Sequence, residues 1–231
     1  MSAPTIIRAA DADAVAERAA SLLGGLLDAT LTARGAAHLA LAGGTTPAGA
    51  YAKLRRERWE GVELWFGDER CVGPDDPDSN YRMVAATLLG HAPGALVHRI
   101  EGELGSLAAA AAYDALVRER VAGDPLPRLD IVLLGIGEDG HTASLFPGNP
   151  ALDAGGVAVA VHDAPKPPPE RVSLSLGVLR AAGATIILAS GASKAAALAG
   201  ALGDPDPSVP ASLLDRDRLT VVADLAALGE A

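Results

Sequence analysis

A chain of 231 residues is too long for a minidomain and short for two ordinary domains, so a single α/β domain over residues 1–231 is expected. Apolar residues make up 49% of it, but only two Trp, three Tyr and two Phe are present, so its core is expected to be large and mostly aliphatic. A formal net charge of −10 argues against a general nucleic-acid binder, which needs a net basic face, and leaves room for a small anionic ligand in a local cationic pocket.

Met1–Arg8 has no basic stretch followed by an apolar one, so no signal peptide is read there. The first predicted strand is Thr5–Ile7, followed by a long helix over Asp11–Ala33, which starts on an Asp and carries Gly24–Gly25 as a weak point in its middle. The longest stretch free of Asp, Glu, Lys and Arg, Gly35–Ala52, contains His38, glycines and Pro47, so no membrane span is expected. Within it lie a strand at His38–Leu41 and the start of a helix over Pro47–Arg58. A strand at Glu63–Phe66 precedes helices over Asn80–Leu89 and Leu107–Val121. The only cysteine, Cys71, rules out a disulfide framework or a multi-cysteine zinc site and fits a cytoplasmic location. Strands are then expected at Asp130–Leu134, Val157–Val161, Arg171–Leu174 and Thr185–Leu188, with a helix over Ser193–Leu202 and a last strand at Leu219–Val222. The Pro-rich pieces Gly123–Pro127, Ala164–Pro169 and Gly203–Pro210 read as surface loops. Several strands are continuous apolar runs, as covered strands are. Strands alternating with helices predict an α/β fold with a mainly parallel sheet and helices on both faces.

In such sheets ligands bind beyond the carboxyl ends of the strands, so residues that follow a strand directly carry the most information. After His38–Leu41 comes Ala42-Gly43-Gly44-Thr45-Thr46-Pro47: glycines that let the backbone approach a ligand, hydroxyls, and a helix start with free amides. That loop suits a phosphate or is simply a tight turn with a Thr cap. It is not a Walker loop, because the Gly-Lys-Ser/Thr ending is absent. After Glu63–Phe66 comes Gly67-Asp68-Glu69-Arg70. Arg70 offers a planar fork of donors for a phosphate, and Asp68 and Glu69 suit orienting it or holding sugar hydroxyls.

Gly135, Gly137 and Gly140 satisfy a G-x-G-x-x-G spacing, but Glu138 and Asp139 would meet a pyrophosphate with negative charge, and Pro147 stops the helix such a site opens. The same loop presents Asp139 and His141, and histidine suits general base work near neutral pH. His38, His91, His98 and His162 lack such a setting and are assigned no role. After Thr185–Leu188, Gly191-Ala192-Ser193-Lys194 places a cation in a first helical turn, where a bound anion would offset its conflict with the helix dipole. Arg171 adds a further cation behind Pro167–Pro169. No metal-ligand spacing is found, so neither a metal nor a cofactor is expected.

These pieces together, with Asp78-Ser79-Asn80-Tyr81 and Gly140-His141-Thr142-Ala143-Ser144-Leu145-Phe146-Pro147-Gly148, resemble the 6-phosphogluconolactonase family of the glucosamine/galactosamine-6-phosphate isomerase superfamily, over nearly the whole chain. The resemblance implies a modified Rossmann-like fold. It also implies cofactor-free hydrolysis of 6-phospho-D-glucono-1,5-lactone to 6-phospho-D-gluconate in the oxidative pentose phosphate pathway. The phosphate would lie on Gly43, Gly44, Thr45 and Thr46 and on cations drawn from Arg70, Arg171 and Lys194. His141 would activate water, with Asp139 or Asp68 orienting its ring. Ser144 is a nucleophile only on paper, since no G-x-S-x-G elbow surrounds it. The expected partner is this small lactone, with no nucleic acid and no membrane. Two alternatives stand beside it. Glucosamine-6-phosphate deaminases have Tyr where Arg70 stands and an Asn-Glu-Pro-type ending after the histidine. A non-catalytic sugar-phosphate-binding module would need an attached DNA-binding segment, and no basic helix-turn-helix is visible.

Overall fold

The computed structural model describes residues 3–230; Met1 and Ser2, which belong to the N-terminal leader reading, lie outside the described residues. In chain order the strands are β1 (Thr5–Ala9), β2 (Ala37–Leu41), β3 (Val62–Phe66), β4 (Asp68–Arg70), β5 (Leu96–Val97), β6 (Ile131–Gly135), β7 (Ala158–Val161), β8 (Arg171–Leu174), β9 (Ala184–Ala189) and β10 (Leu219–Asp224). The helices are α1 (Ala12–Arg34), α2 (Thr45–Lys53), α3 (Asn80–Thr87), α4 (Ser106–Arg120), α5 (Leu176–Ala181) and α6 (Ala195–Leu202).

Helix α1 runs unbroken through Gly24–Gly25 because both of its ends are closed and one stripe is buried. Asp11 accepts from the Ala14 amide at 2.9 Å, and Gly35 closes the helix with φ +74°. Val15, Ala19, Leu23 and Leu27 recur at helical spacing on its buried face. Helix α2 begins two residues earlier than expected and ends before Leu54, which has extended backbone and is buried.

Seven strands form a parallel sheet in the order β1-β10-β9-β6-β2-β3-β5. Leu39, Leu41, Leu133 and Ile187 are fully shielded, which explains their unbroken apolar runs. From β2 the chain moves outward to β3, whereas from β6 its next strand in this sheet is β9, on the other side. The order therefore reverses between β2 and β6, and a crevice opens beyond their carboxyl ends.

The segments at Val157–Val161 and Arg171–Leu174 do not join this sheet. With β4 they form a separate antiparallel sheet in the order β4-β8-β7. The connection over residues 162–170 is shorter than the dozen or so residues a parallel crossover needs, so β7 and β8 pair with each other. Helix α4 packs against both of them, and α1 packs against α2.

Candidate active site

Two buried tyrosines fix the strand ends that feed the site. The Tyr51 hydroxyl donates to the Ala42 carbonyl at 2.9 Å and accepts from its amide at 2.8 Å. Tyr113 does the same for Phe66, at 3.0 and 2.8 Å. Burial raises both phenols well above the ordinary tyrosine range, so both stay protonated and able to donate.

Beyond these ends the loops after β2, β3, β6 and β9 enclose a cavity of about 360 Å³, a size typical of small-ligand sites. Gly43, Gly44, Thr45, Thr46, Asp68, Arg70, His141, Arg171 and Lys194 all line it. Asp139 stands behind His141. Gly44 has φ +103° and precedes the first residue of α2, so Thr45 and Thr46 lie inside the first turn rather than at the cap. A Cβ on Gly43 would fall 1.9 Å from Asn80 Oδ1, so only glycine fits there. At the opposite wall, Asp224 accepts from Ser190 Oγ at 2.5 Å and from the Gly191 amide at 3.0 Å, holding the turn that carries Lys194.

Arg70 and Arg171 are directly paired residues on antiparallel β4 and β8, and both reach the cavity. Like charges placed opposite each other oppose folding, a cost that a bound anion removes. Much of the Arg171 guanidinium is already engaged. Nε donates to the Pro168 carbonyl at 2.9 Å and Nη2 to the Lys166 carbonyl at 2.7 Å, and the group lies over the Phe146 ring. Burial, then the charge of Arg70, holds Arg171 below the ordinary arginine range. Arg171 thus also fastens the proline strap that brings Lys166 into the lining.

His141 Nδ1 lies 2.5 Å from Asp139 Oδ1. That bond puts the proton of the neutral ring on Nδ1 and leaves Nε2 as the basic nitrogen. Burial pushes the imidazole below its ordinary value, and the hydrogen bond and charge of Asp139 offset this only in part. Burial alone would raise the Asp139 carboxyl, but its bonds to His141 outweigh that and hold it low. The sequence left Asp139 and Asp68 open as partners of the ring; the structure places Asp139 against it.

Asp68 is buried and engaged elsewhere. Ser144 Oγ donates to its Oδ2 at 2.5 Å, and Asn80 Nδ2 to its Oδ1 at 3.2 Å. Ser144 is wholly buried and absent from the cavity lining. Among the described residues, no group of three or more His, Cys, Asp or Glu is arranged to hold a metal ion.

Sequence reasoning missed Asn80, Lys166, Gly137 and Ser190, all of which line the cavity. Asn80 was visible only as part of a motif. Lys166 lies in a proline run that reads as ordinary surface, and nothing local marks the strap as folding back over the site.

The family described as glucosamine-6-phosphate isomerases/6-phosphogluconolactonase matches residues 10–223. The chain belongs to that family. Within it, the chain is 38% identical over 231 residues to a 6-phosphogluconolactonase of Mycobacterium tuberculosis, covering 90% of this chain and 94% of that relative. The solved 6-phosphogluconolactonase of Trypanosoma brucei superposes with a TM-score of 0.87 at 29% identity, covering 98% of each chain. A monomeric glucosamine-6-phosphate deaminase superposes at 0.82 with 23% identity, covering 98% of this chain and 100% of that one; this likeness shows the shared fold alone. Among the described residues no helix is long and apolar enough to cross a membrane.

Proposed function

We propose that this chain is a lactone hydrolase that converts 6-phospho-D-glucono-1,5-lactone to 6-phospho-D-gluconate in the oxidative pentose phosphate pathway. The observation that carries the chemistry is the His141–Asp139 pair, set on one cavity with the Gly43–Thr46 loop and the opposed Arg70 and Arg171. Neutral His141 takes a proton at Nε2 from a water as that water attacks the lactone carbonyl. The tetrahedral intermediate carries an oxyanion, which needs donors from the loop amides or a nearby cation. The imidazolium then gives its proton to the departing ring oxygen, and the ester bond breaks. Ser144 has its hydroxyl donated to Asp68 and does not line the cavity, which supports water rather than serine as the nucleophile.

The deaminase reading asks for several carboxylates around the sugar, to open the ring and move a proton between C2 and C1. Among the described residues lining the cavity, Asp68 is the one carboxylate, which favours the lactonase. The deciding assay is base-titrated acid release from fresh 6-phosphogluconolactone, with the spontaneous rate subtracted, beside ammonia release from glucosamine 6-phosphate. Rapid acid release without ammonia is expected; sustained ammonia that vanishes in a His141 variant would reverse the assignment. A cytoplasmic setting accords with the free thiol of Cys71.

The phosphate is read onto the Gly43–Thr46 loop, Arg70 and Lys194, with Arg171 beside them. Arg70→Ala and Lys194→Ala are each expected to weaken the phosphorylated lactone about 10–100-fold, the worth of one charge-assisted hydrogen bond. Gluconolactone without phosphate is the control, and equal losses on both substrates would remove these residues from phosphate recognition.

The pH dependence follows from His141. The base must be neutral, and burial lowers its pKa, so kcat/KM should hold as pH falls through the ordinary histidine value of 6.5 and decline only below it. An acid limb with its midpoint above 6.5 that persists in a His141 variant would assign the titration to another group.

A further inference from the structure

Glu69 is a buried charge that none of these steps uses; it is 2% exposed. It stands between Asp68 and Arg70 on β4. Successive strand residues point to opposite faces, so with both neighbours toward the cavity, Glu69 points away, toward the start of α3. There its carboxylate accepts four hydrogen bonds. Oε1 takes the amides of Arg70 and Asn80, both at 2.8 Å. Oε2 takes the Tyr81 amide at 2.8 Å and Ser79 Oγ at 3.0 Å.

The same segment returns a bond to the cavity. Arg70 Nη1 donates to the Asp78 carbonyl at 2.6 Å, so the guanidinium is anchored to the stretch that Glu69 ties to Arg70's own amide. Arg70 Nε is buried and takes no hydrogen-bond partner among the described residues. Asn80, held by its amide, sets its side chain between Asp68 and Gly43: Nδ2 donates to the Asp68 carbonyl at 2.8 Å, and Oδ1 occupies the space a Gly43 Cβ would need. Ser79 caps α3 by accepting from the Arg82 amide, and Glu69 takes the two free amides before it. The bond from the Arg70 amide and that from Arg70 Nη1 to Asp78 lie outside any helix cap and tie the start of α3 to β4.

We infer that Glu69 is a positioning residue for the phosphate end of the substrate. It locks Arg70 and Asn80 in place against the Gly43 loop, and through them it sets the preference for phosphorylated over unphosphorylated lactones. This rests on the reading of Arg70 as a phosphate ligand. In Glu69→Gln one acceptor oxygen becomes an NH2 group. With the amide oxygen kept on Arg70 and Asn80, that NH2 faces the Tyr81 N–H, and the clamp opens at α3. Glu69→Asp keeps the charge but is one methylene too short to reach both ends.

The test is the ratio of kcat/KM for 6-phosphogluconolactone to that for gluconolactone, each pair measured on one preparation so that the folded fraction cancels. Glu69→Gln and Glu69→Asp are expected to lower this ratio about tenfold or more, through KM for the phosphorylated lactone. The acid limb set by His141 should stay as in the parent, and any loss on gluconolactone should be smaller than that on the phosphorylated lactone. An unchanged ratio, or equal losses on both lactones, overturns the inference. So does failure of both variants to fold, which would make Glu69 a folding residue. Arg70→Ala is run beside them: if it lowers the ratio and the Glu69 variants do not, only the Glu69 inference fails. If it leaves the ratio unchanged, the phosphate reading of Arg70 fails and takes the inference with it.

Discussion

Replacing His141 by Gln is expected to lower turnover of 6-phosphogluconolactone about 10²–10⁴-fold, the usual worth of a positioned general base. The fold should survive, because the ring lines the cavity, where it is held by Asp139 and rests on one core side chain, Phe146. Affinity for 6-phosphogluconate should also survive, since the residues read as phosphate ligands lie on other loops. Gln keeps the size and polarity of the ring's edge but accepts no proton near neutral pH, so the loss reports proton transfer rather than a hole. Spontaneous hydrolysis sets the floor of the measurement. A folded variant within a few-fold of the parent, after that background is subtracted, would take His141 out of the base role.

Much of this site is legible in the chain because its residues follow strands directly. Gly43–Thr46 follows β2, Asp68–Arg70 follows β3 by one residue, and the Asp139–His141 loop follows β6. Parallel strands carry their chemistry at their carboxyl ends, so a strand prediction is already a site prediction. What stayed hidden depends on pairings distant in sequence. That Arg70 faces Arg171 follows from the register of β4 with β8, a hundred residues apart, and β4 itself reads as three charged loop residues. That Arg171 turns much of its guanidinium onto Pro168 and Lys166 depends on a side-chain direction no pattern encodes. The choice between Asp139 and Asp68 was likewise open, since both are acids at strand exits. Distance favours Asp139, 2.5 Å from the ring, and Ser144 and Asn80 engage Asp68.

Gly137→Ala is expected to abolish most activity without replacing any group that reacts. Gly137 has an ordinary backbone conformation, so the substitution costs no strain in φ. Its effect is steric: the new Cβ would lie 2.0 Å from His141 Nδ1 and 2.3 Å from Asp139 Oδ1, so the ring and the carboxylate that steers it cannot both stay. Either the imidazole swings away from the lactone carbonyl or Asp139 releases Nδ1 and the tautomer is no longer fixed. Misplacing a catalytic group by about 1 Å costs on the order of 10²-fold, and losing the tautomer adds to it, so kcat should fall by about that factor or more. Stability should change little, because the displaced groups are side-chain ends with room to move, His141 at the cavity and Asp139 partly exposed behind it. Gly135→Ala is the matched control: two residues earlier, an added Cβ meets nothing within 4 Å, and the His141–Asp139 pair should stay formed. Nitrogen-15 chemical shifts of the His141 ring report this directly, showing a fixed Nδ1–H tautomer in the parent and in Gly135→Ala and a mixture in Gly137→Ala. Full activity in Gly137→Ala, with the ring shifts unchanged, would mean that the close approach of Asp139 to His141 is not what sets the base.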